Sequence, residues 1–228
     1  MNRSYSIVAV LFALFLAAGC AHQPPEQQVA AWRVAATQPA FKSQLSVAKD
    51  LFYQAVAGNA DVLPQARQIL DSLGGADSPD PHVVVYTGAI ALLQAKHASL
   101  PWEKVGLARA GLDMEDRAIA AAPDDLEIRF LRGVTNYELP GFIGRKSTGV
   151  ADLASVARVA EQAAKEKRID SRAAAAALDY HAKALEADYK IADALAEWRA
   201  AVRVNADSPG GTDAAKHLAE HEGQASTQ

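Results

Sequence analysis

Apolar side chains recur three and four positions apart along most of the chain, the spacing of helices that bury one face. In Ser171 to Ala187, SRAAAAALDYHAKALEA, the residues Leu178, Ala182 and Leu185 share one stripe, and alanine, the strongest helix former, fills much of the rest. Downstream, Ala194, Trp198 and Ala201 repeat the stripe. Small residues at facing positions with one large residue in the gap let two helices close as an antiparallel pair. His82-Val83-Val84-Val85-Tyr86 has the β-branched composition of a strand. Asp80-Pro81 ahead of it, however, places a capping acid and then a proline where a helix starts, so a helix is predicted there too. Asp124-Asp125-Leu126-Glu127 is a second start signal, with Glu127 three residues after a capping Asp124. Glycine and proline predict breaks at 74–79, 139–149 and 208–211. The pattern is that of an all-α chain.

Ahead of these helices, residues 7–18 are apolar and uncharged, with Arg3 before them. That is the length of a signal-peptide core and too short to span a bilayer. The only cysteine, Cys20, stands where this run gives way to the polar Ala21-His22-Gln23-Pro24-Pro25. Leu16-Ala17-Ala18-Gly19-Cys20 resembles the signal of bacterial lipoproteins, with Ala17 where that family prefers a larger aliphatic residue. The resemblance implies cleavage before Cys20, acylation of its thiol, and anchoring by two or three acyl chains, each methylene contributing about 0.8 kcal/mol. Ala21 resembles the outer-membrane sorting pattern, which implies a protein facing the periplasm. The expected organisation is a signal peptide at 1–19, a tether and lead-in at 20–41, a helical domain at 42–208, and a C-terminal helix and tail at 209–228.

The helical domain also resembles a known repeat. Ala182, followed by Ala194, Trp198 and Ala201, matches the small residue of the first helix and the small, large, small triplet of the second in tetratricopeptide (TPR) repeats. Ala206 replaces the closing proline. Looser units centre on Gly133, preceded by Ala118 and Pro123, on Gly88, and on Ala48 with Ala66, Leu70 and Leu73. Their spacings all exceed the family's 34 residues, so the repeats carry insertions. The fold implied is a TPR-like solenoid of helical hairpins. The run 123–133 with Leu139-Pro140-Gly141-Phe142-Ile143-Gly144-Arg145 is similar to a group of uncharacterised bacterial repeat proteins.

Composition narrows the function classes. A net charge of −4 without a basic stripe excludes nucleic acid as a partner. A single cysteine excludes a disulfide framework. Gly141 to Gly149 invites a phosphate loop, but Arg145 separates Gly144 from Lys146 and breaks the required order, and no cofactor is expected. His217-Leu218-Ala219-Glu220-His221 matches the H-x-x-E-H pattern of inverted zinc peptidases, two histidines on one helix face beside a carboxylate. Few residues follow it to supply a further ligand, which leaves a zinc hydrolase as the remote reading and no metal site assigned.

In stacked helix pairs the first helix of each unit lines a concave groove that binds peptides or proteins. The repeat's groove positions carry over to Glu127, Phe130, Val134 and Tyr137 and to Asp179, Lys183 and Glu186, aromatic anchors among charges. Phe130 and Tyr137 are equally readable as core residues. The expected function is a membrane-anchored periplasmic scaffold with a periplasmic or membrane protein partner. The alternative is a small-ligand accessory lipoprotein of a TRAP-type solute transporter.

Overall fold

The computed structural model describes residues 26–225. The segment expected to be a signal peptide, 1–19, and Cys20 lie outside them. Among the described residues every regular element is a helix. The α-helices are α1 (Glu26–Ala35), α2 (Pro39–Val56), α3 (Leu63–Ser72), α4 (Pro81–His97), α5 (Pro101–Ala121), α6 (Leu126–Glu138), α7 (Lys146–Ala157), α8 (Ala160–Lys165), α9 (Ser171–Ala187), α10 (Ile191–Asn205) and α11 (Pro209–Ala225), with 3₁₀ turns at Ala60–Val62, Gly75–Asp77 and Gly141–Ile143. None is long and apolar enough to cross a membrane.

Short connections make neighbouring helices pack in sequence: α2 on α3, α4 on α5, α6 on α7, α9 on α10, with α11 against both α9 and α10. The pairs cross where side chains are smallest. Ala48 and Ala66 are fully buried in the first pair. In the second, a Cβ added at Gly88 would come within 2.9 Å of the Gly111 carbonyl, so the backbones nearly touch. In the third, a Cβ at Gly149 would meet the Tyr137 nitrogen at 2.5 Å and the Gly133 oxygen at 2.8 Å. The fourth closes on Ala182 and Ala194, with Trp198 filling the gap at 0 % exposure.

The first helices α2, α4, α6 and α9 form the inner layer. Tyr53 meets Tyr86 edge to face at 6.5 Å, and Tyr137 meets Tyr180 at 5.6 Å. Since each pair is antiparallel, the α4–α5, α6–α7 and α9–α10 turns share one end of the bundle.

One local expectation holds and two shift. The Val-rich run is helical, as α4, because the Asp80 carboxylate accepts from the His82 amide at 2.8 Å and caps it. The cap of α6 is Asp125 rather than Asp124, accepting from the Glu127 and Ile128 amides at 3.0 Å. Glu127 is thereby released from a capping role to point inward. Gly210 and Gly211 are no break: they lie in the first turn of α11, where a Cβ would strike the Ala176 backbone at 2.5 Å and the Asn205 oxygen at 1.9 Å. These glycines serve close helix approach.

Candidate functional site: the inner face of the first helices

Two polar clusters occupy the inner layer. The first gathers the N-terminal parts of α4, α6 and α9 around α2. Glu127 is 8 % exposed; its carboxylate accepts from the Lys49 ammonium at 2.9 Å and from the Tyr86 hydroxyl. Tyr86 is wholly buried and its one hydroxyl proton goes to Glu127, so at 3.3 Å its oxygen accepts from the Tyr53 hydroxyl. Burial, then the charge of Glu127, drives the Tyr53 phenol far above its ordinary range. Arg172 lies 4.2 Å over the Tyr53 ring and reaches Asp50 at 2.7 Å, tying α9 to α2. Above this layer His82 bridges two helix caps, Nδ1 3.5 Å from Asp80 and Nε2 3.2 Å from Asp125. Burial alone would lower its pKa, but the hydrogen bonds to Asp125 and Asp80 raise it to about 9, so the imidazole is cationic.

The second cluster joins α9, α10 and α11. Asp179, 1 % exposed, accepts from the Trp198 indole at 3.1 Å and from Lys183 at 2.7 Å. Lys183 spans to Asp213 at 2.6 Å. Burial raises the Asp179 pKa, whereas the hydrogen bond from Lys183 lowers that of Asp213. His217 stacks on Trp198 at 4.5 Å, the planes 4° apart. His221 instead pairs with Glu186 at 2.7 Å. Both histidines of the H-x-x-E-H run thus pack on Trp198, His221 tilted at 5.6 Å, but they face different carboxylates, Glu220 at 3.8 Å from His217 and Glu186 at 2.7 Å from His221. The ligand atoms of Asp179, Asp213 and His217 lie within 4.8 Å of one another, a spacing a metal could bridge. The Lys183 ammonium stands between the two carboxylates as the cation of that position.

Of the seven predicted groove residues, Glu127 and Phe130 are buried, Phe130 at 5 % exposure within the apolar core. Asp179 is buried beneath α11 contacts. Val134, Tyr137, Lys183 and Glu186 remain half-exposed. Tyr137 and Tyr180 form an edge-to-face platform, with Lys146 4.7 Å over Tyr137 and Lys183 4.8 Å over Tyr180. Tyr180, Lys49, Tyr53, Tyr86 and Arg172 escaped the sequence reading. Tyr86 lay inside the Val-rich run, and nothing local marks Arg172 as the partner of a residue far upstream.

Among the described residues, shallow cavities of about 250 and about 170 Å³ lie away from these clusters. The first is lined by residues of α2 with Ala35, Ser72 and Leu73, the second by Ser78, Pro79 and residues of α4 and α5. No protein-family model matches the chain, and no curated protein and no solved structure is significantly similar to it.

Proposed function

We propose that this chain is a lipid-anchored, TPR-like helical scaffold that binds a protein partner at a bacterial membrane, on its periplasmic side. The observation that carries the binding reading is the Tyr137–Tyr180 platform. It presents two half-exposed aromatic rings from α6 and α9, each under a lysine, with Glu138 and Glu186 at its margin. Rigid amphipathic rings ringed by both charge signs give large contact area at small entropic cost, the composition of protein-binding hot spots. Sequential packing of helix pairs through small residues at Ala48, Gly88, Gly133 and Ala182 supports the TPR-like reading. The segment 16–20 supports an acylated Cys20 and, with Ala21, an outer-membrane location.

Crosslinking in intact cells, followed by mass spectrometry of what is attached to the purified protein, tests this function. A partner whose yield falls several-fold in Tyr137→Ala or Tyr180→Ala, at unchanged protein level and melting temperature, is the expected result. Equal partner recovery from the wild type and both variants would remove the platform from the interaction.

A further inference from the structure

Large apolar side chains exposed to solvent are concentrated at one end of the bundle. The α4–α5 turn and the start of α5 carry Leu100, Trp102 and Val105; the α6–α7 turn carries Phe142 and Ile143; the α9–α10 turn carries Tyr189 and Ile191. The three aromatics are among the most exposed, at 71 % for Trp102, 88 % for Phe142 and 91 % for Tyr189. The opposite end is built differently. Its connections hold the capping aspartates Asp80, Asp125 and Asp170, and the large exposed apolar side chain near them among the described residues is a lone valine, Val34 in the last turn of α1. Core packing does not require this asymmetry, since none of the three aromatics contributes to the core.

We propose that this end of the bundle dips into the lipid headgroup region of the membrane. The inference rests on the reading of a lipid-anchored chain. The apolar residues stand on separate turns, as projecting tips; a bilayer interface takes up such tips independently, whereas a folded partner would need a matching pocket for each. Tryptophan and tyrosine belong to the residues that prefer the headgroup level, where an apolar body and a polar tip are both satisfied. Lysines flank the tips: Lys96 and Lys104 beside the first, Lys146 beside the second and Lys190 beside the third. Lys190 pairs with Asp188 at 3.6 Å, whereas Lys96 and Lys104 have no acidic partner among the described residues, which leaves their ammonium groups for lipid phosphates.

The lead-in is long enough for this orientation. α2 begins at the opposite end of the bundle, so a chain anchored at Cys20 must run back along it. Residues 20–25 can extend about 20 Å, and a ten-residue helix such as α1 adds about 15 Å. Together they exceed the roughly 25 Å length of the 17-residue α9.

The test uses the full acylated protein in vesicles of phosphatidylethanolamine and phosphatidylglycerol. With the Cys20 sulfur acylated, a nitroxide attaches only at a cysteine introduced by Phe142→Cys, by Tyr189→Cys, or by the control Asp207→Cys. Their accessibilities to oxygen and to a water-soluble nickel chelate report depth. Labels at 142 and 189 reading lipid while 207 reads water is the expected result; all three reading water overturns the proposal. Labels wet in vesicles but shielded in native membranes would assign this end to a partner protein instead, and overturn it equally. Mass spectrometry of the same sample checks the Cys20 adduct, so an unmodified thiol would count against the anchor while the depth readings still decide the orientation. Unchanged helical circular dichroism in each variant separates these outcomes from misfolding.

Discussion

His82 Nε2 stands 3.2 Å from a carboxylate oxygen of Asp125, so the side chain opening α4 holds the residue that caps α6. Its other nitrogen faces Asp80, the cap of its own helix. One imidazolium thus supports two helix starts. Its pKa is raised to about 9 in the fold, against about 6.5 in the unfolded chain. A raised value means that the folded state holds the proton more tightly. This contribution is fully present below pH 6.5 and is lost as pH climbs through 9. His82→Gln should therefore cost about 1–3 kcal/mol at pH 6 and much less at pH 10, measured by urea denaturation at the two pH values. An equal loss at both would show that shape, rather than charge, is what the position requires.

Glu115 carries the opposite lesson. It is 0 % exposed, its Oε1 accepts from Thr135 at 2.8 Å, and Oε2 has no partner. Burial raises its pKa to about 8, so it is mainly neutral at pH 7. The unfolded chain ionises it near 4.5, hence stability falls as pH rises between 4.5 and 8. Glu115→Gln removes the ionisation at nearly constant volume. It should be close to neutral at pH 4.5 and stabilising by about 1–3 kcal/mol at pH 8, read as a difference in melting temperature. A variant less stable than the wild type at pH 8 would mean that further contacts hold the ionised carboxylate.

Phe130 and Tyr137 separate folding from recognition. Phe130 is in the core, so Phe130→Ala should destabilise by about 3–5 kcal/mol. Tyr137 is half-exposed and should lose far less when truncated. Chemical denaturation of both variants checks the difference. Comparable losses would place Tyr137 in the core and weaken its use as a binding probe.

At Gly149 the limit is backbone contact. A methyl group there would meet the Tyr137 nitrogen at 2.5 Å and the Asn136 carbonyl carbon at 2.9 Å, neither able to swing aside. Gly149→Ala should cost about 1–3 kcal/mol by forcing α6 and α7 apart, whereas Gly106→Ala, in open space on α5, should be neutral or stabilising. Thermal melts of the pair measure this. Similar melting temperatures would indicate that the α6–α7 crossing can relax.

The fold was legible wherever it depends on local pattern. The apolar stripe, the alanine-rich α9, and the Asp80-Pro81 start all lie within single helices. The small residues Ala48, Gly88, Gly133 and Ala182 stand out within their own helices, whereas Gly111 and Gly149, which approach Gly88 and Gly133, carry no local signal of it. The site was less legible because its geometry is made between helices. Groove positions carried over from a regular repeat assume an open inner face. Here α2 sends Lys49 to Glu127 and Asp50 to Arg172, filling the N-terminal part of that face and leaving the Tyr137–Tyr180 region accessible. Likewise, Asp179 and Lys183 on α9 are engaged by Asp213 of α11 and by Trp198, contacts that spacing along one helix cannot reveal.

The Arg172–Asp50 pair bears on how the molecule comes apart. In a linear array of helical units each contacts only its neighbours, and stability is nearly a sum of local terms, so an end can be trimmed or fray alone. Here residues 122 positions apart share an ion pair, and Lys49 reaches 78 positions ahead to Glu127. These contacts tie the first helical pair to the starts of α6 and α9. Loss of α2 would be felt at α9, and unfolding should proceed as a single transition rather than as a wave from either end.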